Sequence, residues 1–358
     1  MSSDVEPSDW ARLDPWFDAY LGSESGVAAY RSDRDRVLRE PGQEWEAIDS
    51  VPQLGSSSES TMVCHPALRA TNQGHLAEWW TELDSWWELF SEAGHEKAIE
   101  IADLFEQSND AWAASAAPFE TEPLATDITG TRALRGPVRP SGELDWSQWL
   151  AQLLEPSAAL AGELFGVPSD DPPNEVLREA RLPKRDGGRR RADILVRHPD
   201  YGVSIEVKLG DDNYRKTPET ARLVERHYDD VRWDHVLLLP KRQRDRLNAV
   251  VSPSIDEQTD GTREIVWNES VPVTVLYWQD VAAAVRAVLR RGDVVDDHWA
   301  ANAFLFCAAV EQQIAGFQPQ PTIDRMVDPS GVVETVRPIV VSETLDEQLT
   351  YLRSRLDL

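Results

Sequence analysis

Apolar residues repeat along this chain at two periods, and the change from one to the other divides it. Over 75–107, Leu76, Trp79, Trp80, Leu83, Trp86, Trp87 and Phe90 recur at three- and four-residue steps, which predicts helix with one apolar stripe. Gly94 interrupts the stripe, and Ala98, Ile99, Ile101, Ala102 and Phe105 resume it, so a helical hairpin is expected. Upstream, short helices are expected around Trp10–Leu21 and Gly26–Leu38, and the polar run Gly55–Ser60 reads as a linker or exposed loop. Pro118, Pro123, Pro137 and Pro140, with Gly130 and Gly136, remove all periodicity from 117–141, which places a domain boundary there.

Beyond that boundary the period alternates between helix and strand. Ser141 is placed to cap a helix whose apolar face is Leu144, Trp149, Leu150, Leu153 and Leu154. Pro156 stops it and Ala158–Phe165 forms a second. Val176–Leu182 fits a strand. In Arg189–Lys208, Ile194-Leu195-Val196 and the alternating Val203, Ile205 and Val207 flank the turn formers His198-Pro199-Asp200-Tyr201-Gly202, the pattern of a β-hairpin. A helix follows near Pro218–Tyr228. The continuous run Val236–Leu239 reads as a strand buried on both faces. Residues 252–270 read as a loop insertion, Val273–Trp278 as a strand, Val281–Leu289 as a helix, and Trp299–Phe317 as a helix apolar nearly all round. The tail after Pro319 is polar apart from the strand-like run Pro338–Val341.

Length and charge narrow the classes. At 358 residues the chain suits two domains, or one with large extensions. The division expected is a helical Trp-rich region over 1–120, a linker over 121–140, an α/β domain over 141–318 and a tail over 319–358. The net charge is −27, the wrong sign for a simple nucleic-acid binder. Either the partners are basic or uncharged, or the acidic surface serves a high-salt cytoplasm. The spread of 63 Asp and Glu residues, with Lys scarce beside Arg, favours the halophilic reading. High salt screens the acidic field over a few ångströms, so local basic patches then count for more than the total. The two cysteines, Cys64 and Cys307, lie far apart and suggest neither a disulfide framework nor a zinc site. With no signal-peptide pattern and no run near the ~18 apolar residues of a membrane span, a soluble cytoplasmic protein is expected.

Candidate chemistry gathers on the hairpin. Asp193 and Glu206 lie equally far from its turn, so they should face each other across the strands, and alternation puts Lys208 on the side of Glu206. Two carboxylates suit a hard cation, Mg²⁺ or Mn²⁺, and an adjacent lysine can offset charge on a reacting phosphate or hold an attacking water. Arg181, Lys184, Arg185, Arg189, Arg190 and Arg191 crowd around Gly187-Gly188, and Lys241 and Arg242 open a second basic cluster. On so acidic a chain these are the phosphate-binding candidates, with a solvated turn as the plainer reading.

Asp193 followed by Glu206-Val207-Lys208 resembles the PD-(D/E)XK nuclease superfamily, and the element order over about 141–292 is similar to its restriction-endonuclease-like αβββαβ core. The resemblance implies a mixed central sheet, with helical additions at both ends of the chain. It further implies Mg²⁺ (or Mn²⁺) held by Asp193, Glu206 and the carbonyl of Val207, and a catalytic Lys208. Glu143, on the opening helix, would be the additional acidic residue of the site, although a glutamate complementing the helix dipole explains it equally well. Ala192 stands where the motif has its proline. The implied activity is hydrolysis of phosphodiester bonds, in DNA above all. The alternatives are a non-catalytic nucleic-acid-binding or assembly protein on the same scaffold, and an interaction protein working through the tryptophan helices. Those helices could also join a homodimer or a protein partner, while packing in a core is their commoner use.

Overall fold

The computed structural model describes residues 73–128, 140, 142–166, 171–185, 187–210, 214–251, 255–257, 262–266, 271–328 and 344–356, with the backbone alone over 73–90. The helices expected before residue 60, the run Gly55–Ser60, the cap Ser141, the run Pro338–Val341 and the side chains of the tryptophan stripe lie outside the described residues. Gln73–Leu358 form one compact unit, so the boundary expected over 121–140 falls inside it.

Helix α1 spans Gln73–Ala113 without a break at Gly94, in place of the hairpin expected. A glycine inside a helix costs only about 1 kcal/mol. Packing outweighs that here: Ala98, Ile101, Leu104, Phe105 and Trp112 are buried. Ion pairs from Lys97 to Asp346 and from Glu100 to Arg353 fasten α1 to the last helix of the unit.

Helices α2 (Glu143–Leu154) and α3 (Ala158–Phe165) precede strands β1 (Glu175–Pro183), β2 (Arg189–Arg197) and β3 (Tyr201–Val207). Then come α4 (Thr217–His227), β4 (Arg232–Leu239), α5 (Arg244–Val250), β5 (Asp256–Glu257), β6 (Arg263–Ile265) and β7 (Val273–Tyr277). Helices α6 (Trp278–Arg291) and α7 (Asp297–Ala309), a π-helical turn over Val310–Ala315, α8 (Gln320–Met326) and α9 (Leu345–Leu356) complete the unit. The stretch expected to be a looped insertion contributes β5 and β6. These edge strands are too short and polar to show alternation.

The fold is α/β with a mixed sheet. Its seven strands run in the order β1-β2-β3-β4-β7-β6-β5, and the pairings β3–β4 and β4–β7 are parallel while the outer ones are antiparallel. One face buries Ile194, Val196, Val203, Ile205, Val207, Val236 and Leu238 against α2, α3, α6 and α7. The other carries two smaller clusters. Leu195 and Trp233 meet Leu223 and Val224 of α4, while Leu237, Leu239, Val275 and Tyr277 meet Leu247 of α5. Gly202 admits no side chain, since a Cβ there would stand 2.6 Å from the Trp233 ring.

A buried ion cluster ties the helical layer together. Arg286 of α6 grips Glu311 in the π turn through Nε at 2.5 Å and Nη2 at 2.9 Å, and also pairs with Glu122. The Tyr351 hydroxyl of α9 donates to Glu311 at 2.6 Å. Arg286→Met would strand two buried carboxylates, so it should cost about 3–5 kcal/mol, read as a lower midpoint in urea. An unchanged midpoint would show that the cluster does not hold these elements together.

Candidate active site

The β2–β3 hairpin has the register expected. Ile194 pairs with Ile205 and Val196 with Val203, and the ladder stops there, one residue short of Asp193 and Glu206. On the other side of β2 the ladder pairs Arg178 with Ile194 and Ala180 with Ala192, yet omits Glu179 and Asp193. Glu179 takes a φ of 52°, the left-handed region, which costs a residue with a Cβ about 1 kcal/mol or more. Ala192 packs with Ala180 and Leu182 on the α4 side, whereas Ile194 belongs to the core on the opposite face. Residues two apart in a strand ordinarily share a face, so β2 turns over at Asp193. Asp193 Oδ2 accepts a hydrogen bond from the Val207 N–H at 2.7 Å, in place of a ladder bond.

Lys208 and Glu206 share a side, with Lys208 Nζ 3.3 Å from Glu206 Oε1 and side chains only 8% and 13% exposed. The second oxygen, Glu206 Oε2, is buried without a hydrogen-bond partner. Glu143 is the first residue of α2, where a carboxylate complements the dipole, and its Oε1 also accepts from Leu209 N at 2.8 Å and Gly210 N at 3.5 Å. The helix-dipole reading of Glu143 fits this placement. The residue belongs to the same electrostatic group, since its charge acts on Glu206 and on Lys208.

Side chains from four elements clamp the segment after β3. The Lys208 carbonyl accepts from Trp278 Nε1 at 3.3 Å and its N–H donates to the Leu238 carbonyl at 2.8 Å. Gln243 donates to the Leu209 carbonyl at 2.6 Å, and the Tyr214 hydroxyl donates to Gln243 at 2.9 Å. Tyr214, Gln243 and Trp278 were not foreseen. Gln243 follows the carboxyl end of parallel strand β4, where α/β sheets place their sites, but in sequence it sits among Lys241, Arg242 and Arg244 and reads as part of a basic cluster.

The charges are badly matched to burial. Burial pushes the Asp193 carboxyl up to about 7, and the Glu206 charge adds to the rise, while the Val207 N–H and Lys208 oppose it. Burial also raises Glu206, against the pull of Lys208 and Arg190. Burial pulls Lys208 down, but Glu206, Glu143 and Asp193 more than reverse that, and the ammonium stands above its ordinary value. Two carboxylates thus share one cation in a poorly solvated place. The donor set fits a hard divalent ion, all oxygen with one atom unpaired, and Asp193 and Glu206 would hold it. Among the described residues no group of three His, Cys, Asp or Glu side chains is placed to hold an ion; Asp193 and Glu143 each accept from a backbone N–H. The Val207 side chain lies in the core and its N–H goes to Asp193.

The basic candidates divide. Lys184 and Arg190 both pair with Glu219 of α4, at 2.6 and 3.0 Å, and Arg191 pairs with Glu179. Lys241 pairs with Glu347 of α9 at 3.1 Å, and Arg242 donates to the Ile314 carbonyl at 2.5 Å. The second basic cluster therefore braces the C-terminal helix. Arg181, Arg185 and Arg189 remain exposed near the β1–β2 turn, with no ion pair among the described residues. No family model matches the chain, and neither does any curated protein or solved structure.

The raised Asp193 carboxyl has a consequence for stability. A carboxyl titrating near 7 when folded and near 3.8 when unfolded destabilises the fold as it ionises, so the penalty is absent below the lower value and complete above the upper. Asp193→Asn keeps the acceptor for Val207 N–H and removes the charge. In EDTA it should melt above the parent protein, with an advantage that widens from pH 5 to pH 8. An advantage that does not change with pH would show that Asp193 is not an uncompensated charge.

Proposed function

We propose that the protein is a metal-dependent nuclease acting on DNA, built on a restriction-endonuclease-like core. The observation that carries this reading is the meeting of Asp193, Glu206 and Lys208 at the carboxyl end of β3, with Glu206 Oε2 buried and unpaired. The element order α2, α3, β1, β2, β3, α4, β4 also supports it, as apart from the extra helix α3 it agrees with the αβββαβ order of the superfamily.

Each residue has a distinct part. Asp193 and Glu206 would hold Mg²⁺ or Mn²⁺ through carboxylate oxygens, and Glu143 positions the 209–210 backbone beside them. A bound ion of this kind supplies positive charge to the scissile phosphate and lowers the pKa of a coordinated water. Lys208 is a cation in the metal-free protein, so its role is to stabilise charge on the phosphate and orient the water rather than to remove a proton. Gln243, Tyr214 and Trp278 hold the loop that carries Lys208, acting as positioning residues. Arg181, Arg185 and Arg189 form the phosphate track.

Two experiments test this. In high KCl with Mg²⁺ or Mn²⁺ the protein should cut DNA, EDTA should stop it, and Lys208→Ala should lose about a hundredfold or more in turnover, the scale of removing one charge-stabilising group. High salt is essential, because a chain of charge −27 repels itself at low ionic strength. DNA affinity with no cleavage in any form would instead assign a binding or assembly role on this scaffold. Separately, replacing Arg181, Arg185 and Arg189 together should flatten the salt dependence of DNA binding by about 0.9 in log–log slope per lost duplex contact, whereas Lys241→Ala should leave the slope unchanged. Equal slopes for the parent protein and the triple variant would remove this surface from the interface.

A further inference from the structure

A second polar feature lies at the other end of the sheet, roughly 13 Å along the strand direction from Lys208, taking at strand rise the four residues that separate it from Ser204, the partner of His235. A cavity of about 510 Å³ opens there between the start of β4, the C-terminal part of α4 and the segment entering β7. Its floor is His235, 3% exposed, whose two ring nitrogens both lack a hydrogen-bond partner. Glu225 Oε1 stands 3.8 Å from Nε2, too far for a hydrogen bond. Burial lowers the His235 pKa to about 4, so the ring is neutral and presents one N–H and one lone pair. Four carboxylates line the cavity, Glu225, Asp229, Asp234 and Glu264, against the single guanidinium of Arg232, and Trp233 forms part of the wall. Arg232 is 83% exposed and lies 3.3 Å from Asp234 alone, so it neutralises little of this charge.

We infer that this cavity binds an organic cation bearing N–H donors, a primary ammonium or a guanidinium, with His235 as the buried acceptor and Glu225, beside it on the α4 face of the sheet, as the counter-charge. A water molecule could serve the imidazole, but it would leave the excess of negative charge around the mouth untouched. A cation with an N–H answers both. The volume is that of a small-molecule or side-chain site rather than of a bare ion, and the carboxylates stand too far apart to enclose an ion. The same chemistry is offered by a free small molecule such as a polyamine and by an Arg or Lys side chain of a peptide. The inference is independent of the nuclease reading, since it uses none of the residues at the far end of β3.

Calorimetric titration of the full chain at constant ionic strength, with spermidine, methylguanidinium, N-acetyl-arginine methylamide and choline, tests it. Methylguanidinium should bind saturably at one per chain, and choline, equally charged but without an N–H, should show no saturable binding. Glu225→Gln, a half-exposed change that leaves the fold intact, should weaken binding roughly tenfold or more, the scale of a lost charge-assisted hydrogen bond. His235→Phe should abolish it. If the arginine derivative binds as tightly as methylguanidinium, the natural ligand is a peptide side chain. If spermidine binds and the derivative does not, it is a free small cation. Either result upholds the site. Equal affinity in Glu225→Gln, equal binding of choline, or a titration that never saturates would overturn it.

Discussion

Two carboxylates that repel each other, held with a single ammonium where little water reaches them, set the terms for the rest of this molecule. Asp193 and Glu206 both resist ionisation, and Lys208 cannot neutralise the pair. Such an arrangement opposes folding, so the surroundings must over-determine it. They do so through the backbone that carries the charges. Val207 N–H is taken by Asp193, Leu209 N–H by Glu143, the Leu209 carbonyl by Gln243, and the Lys208 carbonyl by Trp278. Each of those side chains comes from a different element, and the site exists only where β2, α2, the turn after β4 and α6 meet.

The larger architecture supplies that meeting. The hydrophobic layer of α2, α3, α6 and α7 covers one face of the sheet and sets Trp278 and Glu143 at the end of β3. Parallel strands β3, β4 and β7 bring their carboxyl ends to one side, where Lys208 and Gln243 emerge. Far from the chemistry, Arg286 joins Glu122, Glu311 and Tyr351 in a second buried cluster. There too two buried carboxylates share one cation, but the guanidinium bonds both oxygens of Glu311 and lies among helices, and the cluster reads as a brace. The contrast is useful. Buried charge is thus placed in two settings, bonded between helices at Arg286 and gathered at the carboxyl end of β3 at Lys208.

Much of this was legible along the chain, for reasons that can be named. The hairpin register followed from turn residues and alternation, so the meeting of Asp193 with Glu206 and Lys208 was readable before any fold was seen. The expectation of a break at Gly94 went wrong because a local cost of about 1 kcal/mol was set against nothing, when the packing of Ile101, Phe105 and Trp112 was waiting in the fold. Strands β5 and β6 were hidden because edge strands this short carry no period. The turnover of β2 at Asp193, with Glu179 in the left-handed region, leaves no trace in composition or spacing. Basic residues misled in part, since a sequence counts cations but not the Glu219 and Glu347 side chains that engage Lys184, Arg190 and Lys241.

The central claim is that Asp193 and Glu206 form the charged seat of one divalent ion. Titration with Mn²⁺, followed by electron paramagnetic resonance in high KCl, tests it most directly. One tightly bound ion per chain is predicted, lost in Glu206→Gln and in Asp193→Asn and retained in Lys208→Ala. Binding that survives the loss of both carboxylates, or that disappears with Lys208 alone, would contradict the account.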